Sequence, residues 1–222
     1  MRPVLDIVMA TRNRGKVREL RRICAVPGVR FRSLDQVDHP PHIRESGRTF
    51  EDNAVKKAVA VARAVHGLAL ADDSGLEVNA LGGAPGIRSA RFAGRQGNDE
   101  ANNRKLLRLL EGYPASKRTA RFRCVLVLAS PEGVLAVTEG TLRGRVTTAP
   151  KGARGFGYDP LFLVPKLGRT TAELAAVQKN HISHRAQAGR RMRAALQRLV
   201  RHGFIPFVSP QQRNIPHRAQ KV

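Results

Sequence analysis

The segment Val4–Ala25, VLDIVMATRNRGKVRELRRICA, predicts the first structural unit of the chain. Its opening run, VLDIVMA, is short, apolar and rich in β-branched residues, which is typical of a buried strand. Val17, Leu20 and Ile23 then recur at helical spacing, so the second half predicts an amphipathic helix. The polar turn TRNRGK between them follows a strand and precedes a helix, where open α/β sheets build ligand sites.

The rest of the chain continues this alternation of helices and strands. Further helices are predicted over Thr49–Val65, Asn98–Leu110 and His184–His202. Further strands are predicted over Leu68–Ala71, Phe122–Ala129, Val134–Val146 and Leu161–Val164. The two long strands should form an antiparallel hairpin, because the residues between them, SPEG, are typical of a turn; Gly140 and Gly144 suggest bends in it. The pattern predicts an α/β fold with a mixed sheet and flanking helices.

Composition and cysteine content exclude several classes of protein. The 222 residues are 41% hydrophobic and 26% charged, which is close to the average of soluble globular proteins and unlike a disordered chain. Cys24 and Cys124 lie far apart, which excludes a disulfide framework and a cysteine zinc cluster. No window approaches the roughly 18 apolar residues of a membrane span, so we expect a soluble, cytoplasmic protein without a membrane partner.

The basic excess raises the hypothesis of a nucleic-acid-binding protein. Forty Lys and Arg residues against 17 Asp and Glu give a formal charge of +23, and residues 174–222 contain basic residues but no acidic ones. Aromatic residues total only 5% and Trp is absent, so the stacking platforms of single-strand binders are scarce. Nucleic acid is therefore an alternative partner that the other patterns do not require.

Two polar clusters predict phosphate and metal chemistry. TRNRGK is not a Walker A loop, but its backbone N–H groups at a helix start and Lys16 suit a phosphate chain. Glu45 precedes the second helix, and Asp72-Asp73 end the following strand; carboxylate oxygens of this kind suit Mg²⁺ and general-base catalysis. The structural alternatives are a solvated polar turn for TRNRGK and an ordinary turn at Asp73-Ser74-Gly75.

The third cluster joins GFGYDP, residues 155–160, to KNHISHR, residues 179–185. An aromatic pair framed by glycines can stack a planar base, while Lys179, His184 and Arg185 supply hydrogen-bond donors. His181 and His184 are spaced as metal ligands can be, but no cysteine is near and Ser183 favours a helix cap there. We therefore prefer a ligand pocket to a zinc site.

Together these segments resemble the inosine/xanthosine triphosphate pyrophosphatase family. The resemblance covers about residues 4–200 and is carried by MATRNRGKVREL, ESGRTFEDNAVKKA, ADDSGLEVNALGGAPGIRSARFAG, GFGYDPLF and TTAEL…QKNHISHR, in the order of the family. It implies a two-lobed α/β fold with a central substrate cleft, commonly a homodimer. It also implies Mg²⁺-dependent hydrolysis of noncanonical purine nucleoside triphosphates (ITP, XTP and their deoxy forms) to the monophosphate and pyrophosphate.

The resemblance also implies the roles of individual residues. Glu45 and Asp73 would hold Mg²⁺, and Asp73 would also be the general base with Asp72 supporting it. The residues implied to bind substrate are Thr11, Arg12, Asn13, Arg14, Gly15 and Lys16 on the phosphate side, Ser74, and Phe156, Gly157, Tyr158, Asp159, Lys179, His184 and Arg185 on the base side.

Some of the sequence lies outside this pattern. Arg12, Arg88 and His181 depart from the residues that are frequent in the family, and Arg12 lies in the phosphate loop. We expect residues 1–203 to form one two-lobed catalytic domain and residues 204–222, which contain three prolines and no helical period, to form a basic, disordered tail. A pyrophosphatase acting on other modified nucleotides is the remaining alternative, against which GFGYD and SHR argue.

Overall fold

The computed structural model describes residues 4–94 and 97–202 and contains, over those residues, one sheet of seven strands. The strands are β1 (Leu5–Met9), β2 (Val29–Ser33), β3 (Leu68–Val78), β4 (Thr119–Ser130), β5 (Gly133–Val146), β6 (Phe162–Val164) and β7 (Arg169–Thr170). The α-helices of the described residues are α1 (Arg14–Ile23), α2 (Phe50–Ala64), α3 (Asp99–Leu109), α4 (Ala176–Ile182) and α5 (His184–His202).

The sheet is mixed, as predicted. Its order is β2-β1-β3-β4-β5-β6-β7, with β1 parallel to β2 and β3 and every later neighbour antiparallel. The predicted hairpin is β4 and β5, which pair from Thr119 opposite Arg145 to Ser130 opposite Gly133. The α/β fold with a mixed sheet and flanking helices is therefore confirmed.

Helices cover both faces of the sheet because side chains of consecutive strand residues point to opposite faces. On one face, α1 and α5 pack on Ile7, Met9 and Leu70. On the other face, α2 packs on Val8 and Ala69 through a row of small residues and valines. Both cysteines are buried as free thiols. The two faces thus bring α1 and α5 to one side of β3 and α2 to the other.

The start of α5 lies directly against β5 because Gly140 has no side chain. A Cβ at Gly140 would lie 2.1 Å from the backbone oxygen of His184, so no larger residue fits there without moving the helix. The sequence interpretation of Gly140 as a bend therefore misses its main role, which is close approach. Ser183 caps α5 as predicted, since its Oγ accepts the N–H of Ala186 at 3.1 Å.

The prediction that a strand ends at Asp72 is wrong. β3 continues to Val78, with Asp72 opposite Leu126 and Asp73 opposite Val125 on β4. Its pairing with β1 stops at Leu70, so the two aspartates lie where the neighbouring parallel strand ends. The alternative of a turn at Asp73-Ser74-Gly75 is also wrong, since these residues belong to the strand.

Other elements were not predicted at all. The unpredicted elements are β2, whose segment VRFRS alternates without a strongly apolar face, the two-residue strand β7 and the short helix α4. Among the described residues, no helix is both long and apolar enough to cross a membrane. The predicted tail, residues 204–222, lies outside the described residues.

Candidate active site

Two adjoining pockets lie at the carboxyl end of β1. The first, the acidic pocket, is lined by Glu45, Asp72 and Asp73 together with Lys16 and Lys57. The second, the aromatic pocket, is lined by Phe122, Phe156, Tyr158, His184 and Arg185, among others. Asn13, Lys16, Ser74 and Ala90 line both pockets, so the two form one continuous cleft. The three clusters predicted from the sequence meet in this cleft.

The loop before α1 forms one wall of the acidic pocket. Asn13 caps α1, because its Oδ1 accepts the N–H of Lys16 at 3.0 Å, and Thr11 Oγ1 accepts the N–H of Asn13 at 3.2 Å. Thr11, Arg12, Asn13 and Lys16 line the acidic pocket, whereas Arg14 lines neither pocket. The N-terminus of α1 therefore faces the cleft with its partial positive charge.

Asp72 and Asp73 face opposite sides of the sheet because they are consecutive residues of β3. Asp72 points toward α1 and α5: its Oδ1 accepts from Lys16 Nζ at 2.5 Å, and its Oδ2 accepts from Arg185 Nε at 2.7 Å. Ser74 Oγ also donates to it, at 2.8 Å. Burial raises the pKa of Asp72, but the charges of Arg185 and Lys16 outweigh burial and hold the pKa well below its usual range. Asp72 is thus a fully paired, permanently charged carboxylate.

Asp73 points toward α2 and keeps one oxygen unpaired. Its Oδ1 accepts from Lys57 Nζ at 2.6 Å, while its Oδ2 is buried without a hydrogen-bond partner among the described residues. Burial is the main cause of a raised pKa at Asp73, and Lys57 and Lys16 oppose it only in part. A buried acceptor without a partner is costly, so this oxygen is available for a ligand, a water proton or a cation.

Lys57 joins Asp73 to Glu45. Its Nζ donates to Glu45 Oε1 at 3.1 Å and to the backbone oxygen of Asp72 at 3.0 Å, in addition to Asp73. Glu45 Oε2 accepts from Arg91 Nη1 at 2.8 Å. Glu45 and Asp73, the two predicted metal ligands, therefore converge on a single position that carries positive charge. Within the described residues, no group of three or more His, Cys, Asp and Glu side chains is placed to hold a metal.

The aromatic pocket is built from stacked rings and buried cations. The His184 ring stacks on Phe122, with centroids 4.7 Å apart and an interplanar angle of 17°. Lys179 Nζ lies 5.0 Å from the centre of the Phe156 ring, and the Arg185 guanidinium lies 5.5 Å from it. Tyr158 is fixed by its hydroxyl, which donates to the backbone oxygen of Ser89 at 2.9 Å. A flat apolar slot with donors at one end results.

The two cations of this pocket are held by carboxylates. Glu19 accepts from Lys179 Nζ at 2.9 Å and from Arg185 Nη1 at 2.7 Å. Asp159 Oδ2 accepts from Lys179 Nζ at 2.6 Å and from the N–H of Phe156 at 2.9 Å. Both Asp159 oxygens are used inside the protein, because Thr171 Oγ1 donates to Oδ1. Asp159 thus positions the loop and Lys179, and offers no free oxygen to a ligand.

Gly157 is tied to α3 through its backbone. Its N–H donates to Asp99 Oδ2 at 2.6 Å, and its carbonyl accepts from Asn103 Nδ2 at 3.0 Å. Gly157 has a φ of 63°, a left-handed conformation that glycine adopts without strain. The loop that carries Phe156 and Tyr158 is therefore anchored to α3 at the glycine between them.

The geometry can be compared with known proteins. The sequence profile of the Ham1 family matches residues 7–195, which is most of the chain. The chain belongs to the Ham1 family. A relative from Desulforamulus reducens named dITP/XTP pyrophosphatase is 50% identical over 198 residues, covering 89% of this chain and 98% of the relative. A Bacillus subtilis protein of the same name is 44% identical over 192 residues, covering 86% of this chain and 97% of the relative.

Solved structures of Ham1 proteins share the fold. The Ham1 protein of Staphylococcus aureus superposes with a TM-score of 0.77 at 42% identity, covering 86% of this chain and 98% of the other. A HAM1 protein from Coxiella burnetii superposes with a TM-score of 0.80 at 38% identity, covering 88% of this chain and 100% of the other. The Ham1 family thus accounts for both the sequence motifs and the tertiary arrangement.

Three residues of the site in this Ham1 protein, Glu19, Lys57 and Arg91, were not predicted from the sequence. Lys57 lies three residues after Ala54 and four before Val61, so it occupies the buried stripe of α2, where an unpaired charge is unfavourable. Glu19 is the one acidic residue of α1 and lies three residues after Lys16, on the same helix face. The sequence patterns around Lys57 and Glu19 could therefore have identified both residues. Arg91 lies in a short 3-10 segment, where no sequence pattern identifies it.

Gly15 allows Phe156 to lie against the start of α1. A Cβ at Gly15 would lie 2.7 Å from Cδ1 of Phe156 and 3.1 Å from Asn13 Oδ1. We therefore expect Gly15→Ala to displace the Phe156 ring and raise the KM for the substrate of this cleft by about tenfold, which is the effect of losing roughly 1.4 kcal/mol of binding. Steady-state kinetics measure it. Gly67→Ala is the matched control, because its Cβ would meet its nearest neighbour at an ordinary 3.5 Å, and an equal rise in KM there would contradict the prediction.

The buried ring of His184 should make the stability of the protein depend on pH. Burial lowers the pKa of His184 well below its usual range; Arg185, Lys179 and Lys16 add to this effect and Asp72 opposes it. The folded state therefore holds the neutral ring while the unfolded state takes up a proton below about pH 6.5, so stability falls as pH falls.

This contribution can be measured by comparison with His184→Phe. The difference in free energy of unfolding between wild type and variant should shift against wild type by about 1.4 kcal/mol per pH unit below pH 6.5. Denaturant titrations at a series of pH values measure it, and the difference should be constant above about pH 7.5. A difference that is constant throughout would contradict a neutral His184.

Proposed function

We propose that this Ham1 protein hydrolyses noncanonical purine nucleoside triphosphates, ITP, XTP and their deoxy forms, to the monophosphate and pyrophosphate. The observation that carries the proposal is the juxtaposition, across one cleft, of a carboxylate oxygen without a partner, Asp73 Oδ2, and an aromatic slot that ends at His184. The names of the relatives, dITP/XTP pyrophosphatase, support the same substrates.

The residues of the acidic pocket fit a divalent cation, which we propose to be Mg²⁺. Asp73 Oδ2 is a buried acceptor without a partner, and Glu45 lies beside it through their shared contact with Lys57. Mg²⁺ in phosphate-processing sites is commonly bound by one or two carboxylates, with water and substrate phosphates completing the shell, so two carboxylates suffice. When bound, the ion would neutralise charge on the triphosphate and favour attack at phosphorus.

Asp73 is the proposed general base. A water oxygen forms a bond to the α-phosphorus, and the bond from that phosphorus to the bridging oxygen breaks, so that its electron pair leaves with pyrophosphate. Asp73 Oδ2 takes the proton from the water. Its raised pKa makes it a stronger base than Asp72, whose oxygens are all paired. Lys16, Asn13 and the N–H groups at the start of α1 are placed to hold the phosphates.

Recognition of the base is proposed for His184 and Arg185. The neutral His184 ring has one donor and one acceptor, and its Nδ1 is buried without a partner. Arg185 uses one N–H at each nitrogen for Asp72, Glu19 and Ser74, and so keeps further N–H groups at Nη1 and Nη2. These donors suit the 6-oxo group of hypoxanthine or xanthine. Adenine, whose 6-amino group is itself a donor, would leave them unpaired at a cost of about 1–3 kcal/mol.

Pyrophosphate release from a panel of triphosphates tests this function. With Mg²⁺ present, kcat/KM for ITP and XTP should exceed that for ATP by at least about tenfold, which corresponds to roughly 1.4 kcal/mol. Omission of the metal should abolish release. Equal turnover of all purine triphosphates would remove the specificity proposal, and turnover of other modified nucleotides alone would favour the alternative substrate class.

Assembly and location remain predictions from the resemblance. We propose a homodimer acting in the cytoplasm, with residues 1–203 as a single catalytic unit. Light scattering coupled to size exclusion measures the mass of the particle against the 24.3 kDa of one chain.

A further inference from the structure

The helices α1 and α5 carry a concentration of exposed arginines that the hydrolytic reaction does not use. They lie side by side, because Leu20 of α1 and Cys24, which caps it, share one core with Met192 and Leu196 of α5. Cys24 Sγ also donates to the carbonyl of Gly189 at 3.6 Å. Exposed arginines on α1 are Arg14, Arg18, Arg21 and Arg22; those on α5 are Arg190, Arg191, Arg193, Arg198 and Arg201. We call these residues the arginine surface.

Carboxylates do not balance this charge locally. α5 contains no acidic residue, and the one acidic residue of α1, Glu19, is occupied by Lys179 and Arg185. Within the described part of the chain, the side chains of Arg18, Arg22 and Arg193 form neither an ion pair nor a hydrogen bond. Their guanidinium groups are therefore available to an external anion.

The arrangement on α1 also opposes the stability of the helix itself. Arg14, Arg18 and Arg22 follow one another at four-residue spacing, which places like charges side by side. The first turn of α1 contains no acidic residue, although the positive end of a helix favours one. Such a row is unfavourable in the isolated chain and becomes favourable when an anion with several charges lies along it.

The arginine surface extends beyond the substrate cleft. A groove beside α1 is lined by five arginines, Arg12, Arg14, Arg18, Arg21 and Arg22, with Asp35 as the one carboxylate among its described lining residues. Arg12 also lines the acidic pocket, so the groove begins at the edge of the cleft. From Arg14 to Arg22 the row runs about 12 Å along the helix axis, away from the cleft. The cleft already contains Lys16 and the N-terminus of α1 for the triphosphate, so the row suits a longer polyanion.

We propose that the arginine surface of α1 and α5 binds the phosphate backbone of nucleic acid. Arginine donates to phosphate oxygens in a bidentate manner, and its charge displaces condensed counterions from a polyphosphate chain. α1 and α5 contain no Phe, Tyr or Trp, so we expect recognition of the backbone, independent of base sequence. This binding activity is separate from hydrolysis and leaves the cleft open to nucleotides.

A salt-titrated binding experiment with the full chain tests the proposal. Fluorescence anisotropy of labelled, mixed-sequence duplexes and single strands of about 20 nucleotides gives log K against log salt, whose slope is about −0.9 per phosphate contact for duplex DNA. The test variant is Arg18→Gln with Arg22→Gln and Arg193→Gln, none of which lies in the proposed cleft machinery. We expect the slope for duplex to become less steep by about 2–3 and the affinity near 0.1 M salt to fall at least tenfold.

The matched control removes the same charge elsewhere. Arg104, Arg108 and Arg143 are exposed residues of α3 and β5, and their change to Gln should leave the slope and the affinity close to wild type. An equal loss in the control variant would show a general field effect and overturn the proposal. Absence of binding near 0.15 M salt would also overturn the proposal. The arginines would then act only by attracting the charged substrate over a distance.

Two further outcomes bear on the place and mode of binding. Retention of the complex in a millimolar excess of ITP without metal supports a surface distinct from the cleft, whereas complete displacement by ITP overturns it. Binding of duplex at least as tight as that of single strands supports backbone recognition. Binding of single strands alone would indicate contacts to bases and would overturn the proposal.

Discussion

Asp73→Asn should lower kcat for pyrophosphate release by about 10³-fold while the protein stays folded. The change keeps an oxygen for Lys57 but replaces the unpaired carboxylate oxygen by an amide group, which cannot accept a proton from water. Stability should change little, because burial already raises the pKa of Asp73 and so disfavours its charged form in the fold. Single-turnover kinetics and a thermal melt measure the two effects.

Two comparison variants sharpen this prediction. Asp38→Asn makes the same chemical change at an exposed position and should leave kcat unchanged. Asp72→Asn should lower activity by disturbing Lys16 and Arg185, and it should also lower the melting temperature, since Asp72 is fully buried and paired. If Asp73→Asn kept more than a tenth of the activity, Asp73 would not be the general base.

Of the substitutions described here, Arg185→Leu should lower the free energy of unfolding most. Arg185 is 2% exposed and its guanidinium donates to Asp72, Glu19 and Ser74. Removal of one partner from a buried ion pair leaves the other charge unpaired, which typically costs about 3–5 kcal/mol. For a chain of this size, a loss of 1 kcal/mol lowers Tm by about 2–4 °C, so we expect a fall of roughly 10 °C or more. Calorimetry and denaturant titration measure it.

The matched control for Arg185 is an exposed ion pair. Arg121 pairs with Glu77 at the surface, with 46% of its side chain exposed. Exposed pairs contribute about 0–1 kcal/mol, so Arg121→Leu should barely change Tm. Similar losses in the two variants would mean that Asp72 finds another partner, or a proton, when Arg185 is removed.

The sequence predicted most of the helices and strands because their apolar residues recur with the period of each element. The ends predicted for α2 and α3, over Thr49–Val65 and Asn98–Leu110, lie within a residue of the ends in the structure. The predicted end of β3 was wrong because Asp72, Asp73 and Ser74 are residue types that favour turns. Tertiary contacts override that preference: β4 pairs with all three residues, and cations from α1, α2 and α5 compensate the buried carboxylates.

The candidate site, like the fold, was predicted from the sequence only in part. The order of the motifs predicted which residues meet, and their placement in one cleft agrees with that expectation. The sequence alone could not distinguish the environments of Asp72 and Asp73, since the two are adjacent residues of the same type. The structure does separate them, because the strand directs Asp72 toward Lys16, Ser74 and Arg185, and Asp73 toward Lys57 with one oxygen left over.

By itself, the sequence determined the fold class, the motifs and the excess of positive charge, since these depend on composition and on local periodicity. Only the tertiary structure decided which charges are free. Lys16, Lys57, Lys179 and Arg185 are neutralised by carboxylates brought together from distant segments, whereas Arg18, Arg22 and Arg193 are left facing outward. The physical reason is that pairing of charges depends on distance in space, and the sheet, by ordering its strands and covering helices, sets those distances.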